Sequence, residues 1–327
     1  MDFPILHLMD EDACYHYLLD LFHPQGLHCP RCHAHEGFTV HRYYREPVLD
    51  YRCRACGRVF NAWTGTALQG THYRPSQIVL ILRGFTQGVS TAQLARGLGC
   101  SRKNLLELRH MLQSYAKSGL DRTPLKDAVV EADEMYQNAG EKGATHLAPD
   151  YPPRRRAHKR RGHGTMENDR PPVIGIVGRD SGAVRLEVVE HADQETLDHF
   201  VEETTTPGAT VNTDEWSGYN HIPELGRKHA TVCHAPGQRE WARDDDGDGV
   251  REVHNNTMEG IWTGVRNFLR IFRGVNKEYL GDYIGIFEWA YHVKEVSYEF
   301  LSALMGRVVP ILSPRAKKLY QAQAGIQ

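Results

Sequence analysis

Apolar positions change their spacing along this chain, and each change marks a new element. In residues 1–25 Cys14, Tyr15, Leu18, Leu19 and Phe22 recur at helical intervals and predict a short amphipathic helix. Residues 26–65 lose that rhythm and become rich in Gly, Arg and Cys, with short aromatic stretches such as HRYYRE and VLDYRCRAC. From Pro75 the helical spacing returns with Ile78, Val79, Ile81, Leu82 and Phe85. A break at Gln87–Ser90 precedes a short helix over Thr91–Gly97. The Leu98-Gly99-Cys100 turn leads to Ser101, a good N-cap for a helix running to about Ser114. Two helices across a glycine turn have helix-turn-helix spacing.

Beyond Lys126 the texture turns to strands. AVVEADEMY is a compact apolar run ending in acids, and PPVIGIVGRD with AVRLEVVE predicts a hairpin around Asp180-Ser181-Gly182. Gln194–Glu203 reads as a helix and ATVNTDEWSGY as a strand ending in an acid. Glu259–Phe272 and Lys277–Leu301 read as helices. Two charged insertions interrupt this part, 150–172 and 236–252, and there is no internal repeat. The expected domains are 1–66 (helix and cysteine-rich ribbon), 74–120 (helix-turn-helix), 125–305 (an α/β domain with the insertion 150–172) and a tail, 306–327.

With 327 residues, 40% hydrophobic and 24% charged, the composition is that of a soluble globular protein of two or three domains. The net charge of −2 argues against a simple DNA-coating protein, but charge is segregated: bases crowd into 29–116 and 154–161, acids into 240–252. The first residues carry early acids and no uninterrupted apolar core, so no signal peptide is expected. No apolar run reaches the roughly 20 residues of a membrane helix. A cytoplasmic location and no membrane partner are expected.

Cysteine usage sharpens the picture. Cys29/Cys32 and Cys53/Cys56 form two Cys-x2-Cys pairs, the spacing of four thiolates around one tetrahedral zinc, and a closed four-sulfur site is structural. The competing reading is unrelated or redox pairs. Cys14, Cys100 and Cys233 are scattered and read as small buried hydrophobes. Zinc would supply stability that the ribbon's small core lacks. Arg31, Arg42, Arg45, Arg52, Arg54 and Arg58 would meet phosphates, or simply make a solvated basic face. On the second helix, Arg102, Lys103, Asn104 and also Arg109 are placed outward, where Arg and Asn read base edges; a plain helical bundle is the alternative.

The acids are less specific. Asp133 and Asp214 are each placed at a strand end, and Asn256 and Glu259 lie three apart near a helix start, on one face. Clustered carboxylates of this kind hold two divalent ions for phosphoryl transfer; the alternative is turn and cap residues. Arg266 follows Glu259 by two helical turns. His254 is a candidate near the site, though a lone histidine is more often structural. Tyr136, Trp216 and Tyr219 flank the acids and read as packing rather than base-stacking groups. DDDGDG places Asp244, Asp246, Asp248 and Gly249 like a calcium loop, but Asn255 stands at the twelfth position and no helix precedes it, so calcium is rejected.

CPRC and CRAC, the helix-turn-helix, EADEMY, NTDEWSGYN and HNNTMEGIW, in that order over about residues 10–300, resemble bacterial insertion-sequence DDE-type transposases with an N-terminal zinc ribbon, the ISXO2-like group. The resemblance implies an RNase H-like (retroviral-integrase-like) α/β catalytic domain and two divalent ions, Mg²⁺ or Mn²⁺, besides structural zinc. It implies strand cleavage and strand transfer on terminal inverted repeats and target DNA, by a dimer or larger assembly. The first two catalytic acids map to Asp133 and Asp214. The third falls on Glu259 or Asn256, and the trailing base on Arg266, with Lys277 as a second candidate. YQNAGEKG keeps Gly140, Lys142 and Gly143 of a glycine-containing basic stretch. The insertion bearing Arg154, Arg155, Arg156, Lys159, Arg160 and Arg161 reads as a DNA-binding loop or a solvated linker. The rival reading is a non-catalytic zinc-ribbon DNA-binding protein with a degenerate nuclease-like domain; a nuclease without strand transfer is a third.

Overall fold

Residues 10–144, 162–235 and 237–292 are described by the computed structural model, and they form two units, residues 10–119 and Leu120–His292. The first unit opens with α1 (Glu11–Phe22), capped by Asp10, which accepts a hydrogen bond from Ala13 N at 2.9 Å. Its apolar face buries Cys14, Tyr15, Leu18, Leu21 and Phe22, and Trp63 meets Tyr15 and Phe22 edge-on. Three short antiparallel strands follow, β1 (Phe38–Arg42), β2 (Asp50–Cys53) and β3 (Val59–Phe60). The buried core of this ribbon is Cys29, Cys53 and Phe60, too little apolar area to order the segment without a staple.

Three helices complete the unit: α2 (Pro75–Thr86), α3 (Thr91–Leu98) and α4 (Arg102–Ser118). Gly99, at φ +62°, ends α3 in the left-handed region, and Ser101 caps α4 by accepting from Asn104 N. Helices α2 and α3 approach closely because residue 84 is glycine; a Cβ there would lie 2.5 Å from Leu94 Cδ2. Arg109 departs from expectation. It is 0% exposed, stacked 4.0 Å over the Phe85 ring and bonded to the Val89 carbonyl. Its place four residues after Leu105 and three before Leu112 puts it on the buried stripe of α4, not on its outward face.

In the second unit the sheet comprises β4 (Val129–Tyr136), β5 (Pro172–Gly178), β6 (Val184–Val188), β7 (Thr210–Asp214) and β8 (Lys228–Val232), in the order β6-β5-β4-β7-β8. β4 pairs antiparallel with β5, as does β5 with β6, whereas β4, β7 and β8 run parallel. Only β5 opposes the rest, the RNase H-like arrangement. Helix α5 (Gln194–Thr204), between β6 and β7, covers one face with Leu197, Phe200 and Val201 against Val130, Ala132, Ile174 and Ile176. The other face carries α6 (Asn256–Arg270) and α7 (Lys277–His292), whose Met258, Trp262, Val265, Leu280 and Ile284 meet Met135, Val173, Val177 and Leu186. Burial on both sides explains why every residue of β5 is buried and why its sequence is a continuous apolar run. Asp127 holds the β5–β6 turn, accepting from Asp180 N, Ser181 N and Ser181 Oγ at 2.7–2.9 Å.

β8 is an element the residue pattern did not predict. The tail 306–327 and the basic insertion residues 154–161 lie outside the described residues. Among the described residues no helix is long and apolar enough to cross a membrane.

Candidate active site

Strands β4 and β7 bring the first two acids together. Their parallel register pairs Glu131 with Asn212, so Asp133 and Asp214 each lie two residues further along neighbouring strands. Asp214 is the last residue of β7. Asp133 is not a strand end as expected: β4 continues, paired to β5, as far as Tyr136 opposite Pro172. β4 therefore outruns its parallel neighbour, and Asp133 sits at the step.

Alternation along β4 turns Glu131 and Asp133 towards α6, and Glu134 towards α5. Asp133 Oδ2 accepts the indole N–H of Trp262 at 2.9 Å, and Asp214 Oδ1 accepts Trp216 N at 3.0 Å. Glu259 is exposed on α6, one turn before Trp262 and one turn after the exposed Asn256. Burial first, then the Asp214 charge, pushes the Asp133 carboxyl up to about 7; the Trp262 N–H opposes this and Glu259 adds to it. Asp214 is likewise raised by burial, with the Trp216 N–H opposing. Glu134 rises to about 8 through burial and then the charges of Asp133 and Asp214, while accepting the Tyr219 hydroxyl at 2.9 Å. Acids that resist ionising in one another's company suit a bound cation, which would compensate their charge.

Several groups here were not singled out by sequence reasoning: Glu131, Glu134, His163, His234 and Trp262. Only the alternation of Glu131-Ala132-Asp133 hints at the first, and Glu134 breaks it. Both histidines act on Asp214, lowering it. His163 Nδ1 lies 2.6 Å from Tyr136 Oη, and its ring is 5.0 Å from that of Trp216. His234 N donates to Glu215 Oε2 at 2.8 Å. Of the aromatic trio, Tyr219 is a core residue at 2% exposure, whereas Tyr136 and Trp216 are half-buried beside His163.

Arg266 is exposed on α6. Lys277, the second candidate for that role, is 8% exposed and pairs with buried Asp169 at 3.2 Å while donating to the Met166 carbonyl. It braces the fold. Lys142 is similarly engaged, donating to the carbonyls of Phe272, Arg273 and Gly274 after α6. His254 Nδ1 is 3.2 Å from Glu131 Oε1.

The four cysteines are gathered in the first unit. All four sulfurs lie within 4.8 Å of one another, Cys29 to Cys56 at 3.5 Å and Cys32 to Cys53 at 3.6 Å. A tetrahedral ion with zinc–sulfur bonds of about 2.3 Å requires sulfur separations of about 3.8 Å. The two knuckles share one backbone pattern. His33 N bonds Cys29 O and Gly57 N bonds Cys53 O, both at 2.9 Å, with His33 at φ +60° and Gly57 at φ +73°. Arg31, Arg42, Arg52, Arg54 and Arg58 are exposed around this centre, whereas Arg45 donates to the Thr71 carbonyl at 2.9 Å.

On α4, Arg102, Lys103 and Asn104 are exposed as expected. Asp244, Asp246 and Glu252 also approach one another, but their carboxylates serve the loop itself, accepting from Gly247 N, Gly249 N, Asp248 N and Asp245 N.

A family model described as an ISXO2-like transposase domain matches residues 124–292, and one described as a transposase zinc-ribbon domain matches residues 9–59. A protein in transposable element ISH50 of Halobacterium salinarum is 27% identical over 288 residues, 87% of this chain and 92% of that one. Among solved structures, the HTLV-2 integrase catalytic core domain in complex with magnesium is 13% identical (TM-score 0.28), covering 52% of this chain and 87% of that one. The simian T-cell lymphotropic virus intasome in complex with PP2A regulatory subunit B56 gamma is 11% identical (TM-score 0.29), covering 72% and 76%.

Proposed function

From the premise that this chain belongs to the ISXO2-like transposase family, we propose that it binds the terminal inverted repeats of an insertion sequence and catalyses DNA strand cleavage and strand transfer. The observation that carries this reading is the step between β4 and β7. There Asp133 and Asp214 lie at matching positions on neighbouring strands; burial lifts both carboxyls, and the charges of Asp214 and Glu259 add to the rise at Asp133.

Asp133, Asp214 and Glu259 would hold two Mg²⁺ or Mn²⁺ ions, with Asn256 the alternative to Glu259. Bound there, the ions supply Lewis-acid polarisation of the scissile phosphate and make the attacking hydroxyl more acidic. Trp262 fixes the Asp133 carboxylate through its indole N–H. Arg266, two turns beyond Glu259, offers a guanidinium to a backbone phosphate. In the first unit the zinc ribbon presents its exposed arginines to phosphates, while Arg102 and Asn104 address base edges and Lys103 the backbone. Arg154, Arg155, Arg156, Lys159, Arg160 and Arg161 are assigned to flanking or target DNA on charge alone. Joining two element ends calls for a dimer or larger assembly on DNA.

The test is Mg²⁺-dependent cleavage and joining of a labelled duplex bearing the element's terminal repeat, by wild type and by Asp214→Ala. Strand-transfer product from wild type only is the expected result. Binding without cleavage by either protein would favour a non-catalytic DNA-binding protein, and equal cleavage by both would overturn the site assignment.

A further inference from the structure

Two residues before Asp133, on the same face of β4, lies a carboxylate outside the acid cluster. Glu131 is 0% exposed. Arg179 Nε and Thr257 Oγ1 donate to its Oε1 at 2.9 and 2.8 Å. Thr257 N and Met258 N donate to its Oε2 at 2.8 and 3.2 Å, and His254 Nδ1 is 3.2 Å from Oε1. Arg179 extends the arrangement, donating to the carbonyls of Glu252 and His254 in the loop that enters α6.

A helix begins with N–H groups that lack intrahelical partners and with a positive dipole end that favours an anion. The residue preceding α6, Asn255, makes no side-chain cap; its amide donates instead to the Ala132 carbonyl on β4 at 3.2 Å. The anion and acceptor for this helix start thus come from a strand, 126 residues away in sequence. That strand also carries Asp133, and the pinned turn carries Glu259 directly after Met258.

We infer that Glu131 is a positioning residue for the metal site: it locks the first turn of α6 to β4 and thereby sets Glu259 against Asp133. This rests on reading the acid cluster as a divalent-metal site. A purely structural buried ion pair with Arg179 would require charge at residue 131 but not reach; positioning requires reach. Glu131→Asp keeps the charge facing Arg179 and shortens the arm by one methylene, away from the α6 N–H groups. Glu131→Gln keeps the length, with an amide oxygen for the Thr257 and Met258 N–H groups. Thr257→Val removes one bond to the helix and leaves Glu131 and Arg179 intact.

The experiment is Mn²⁺ binding to the full-length, zinc-loaded protein without DNA, followed by electron paramagnetic resonance of the free ion, with Asp214→Ala defining the site. Glu131→Asp should weaken the Asp214-dependent site about 10-fold or more, the usual effect of losing an outer-shell support. Glu131→Gln should stay within a few-fold of wild type and Thr257→Val should fall between, with zinc content and helix content unchanged. Wild-type Mn²⁺ affinity in folded Glu131→Asp overturns the inference, as does Glu131→Gln binding as weakly as Glu131→Asp. If Glu131→Asp does not fold, wild-type affinity in Thr257→Val overturns it instead. Undiminished binding by Asp214→Ala would defeat the metal-site reading itself, which no change at residue 131 can do.

Discussion

Trp262 of α6 and Asp133 of β4 are joined by one hydrogen bond of 2.9 Å, from the indole N–H to Oδ2. The bond favours the ionised carboxylate, against the burial and like charges that raise it. Trp262→Phe keeps the ring packed on the sheet and removes only this donor. The Asp133 carboxyl should then rise further, and the acidic limb of the pH profile for Mg²⁺-dependent cleavage should move to higher pH. An unmoved limb would mean that Asp133 does not set it.

Without metal, the same acids make stability depend on pH. The folded-state values of Asp133 and Glu134, about 7 and about 8, stand above their ordinary 3.8 and 4.5. A raised carboxyl contributes stability that is complete below its ordinary value and is lost as pH rises through the folded value. The metal-free protein should therefore melt progressively lower between about pH 4 and pH 8. Asp133→Asn should flatten that slope and raise the melting temperature at pH 8 by several degrees, at roughly 2–4 °C per kcal/mol. Calorimetry across that range decides it, and saturating Mn²⁺ should restore wild type at pH 8.

One zinc per chain is expected, held by Cys29, Cys32, Cys53 and Cys56. Cys53→Ser, or stripping the metal with a thiol reagent and chelator, should unfold the ribbon, because its buried core is three residues. Metal analysis with gel-shift binding should show zinc and terminal-repeat affinity lost together.

Two neighbours on α4 should fail differently. Asn104→Ala should cost about 1–3 kcal/mol on the cognate repeat and relax preference at one base position. Lys103→Ala should weaken all sequences alike and lower the salt dependence of binding by about one ion. Titrations at several salt concentrations on cognate and scrambled duplexes separate the two.

Arg266 and Lys277 make a contrasting pair of cations. Lys277→Met removes the cation that pairs with buried Asp169 at 3.2 Å and donates to the Met166 carbonyl, and should cost more than about 1 kcal/mol of stability. Arg266→Ala should leave melting within about half a kcal/mol and lower strand transfer. Denaturant curves beside joining assays would show whether the roles are reversed.

The residue pattern carried the two-sided sheet a long way. A strand buried on both faces is a continuous apolar run, so β5 was plain, and α6 announced itself through its helical period. β8 was not legible, because KHATV is a half-exposed parallel edge strand with one buried residue and no alternation. Arg109 was misplaced by its charge; its position among Leu105, Leu108 and Leu112 already put it inside. Lys277 shows the same trap, a cation held by a distant Asp169 that no local spacing reveals. Asp133 and Asp214 could be marked as candidates through the resemblance of EADEMY and NTDEWSGYN to the family's motifs; by spacing alone they read equally as turn or cap residues. Glu131 could not, since what sets it apart is the pair of N–H groups waiting at the start of a helix folded back from far along the chain.

Directly across the β4–β5 ladder from Asp133 is Gly175. A Cβ there would lie 2.7 Å from Met258 Cε and 2.8 Å from the Trp262 ring. The missing methyl group works as a gauge: it sets how near α6 may settle on the sheet, and so how far Glu259 stands from the acid it faces. If the acid cluster is the proposed metal site, a residue outside it would set its jaw width, and replacements at Gly175 tolerated by the fold would register as a change in which cation the cluster prefers.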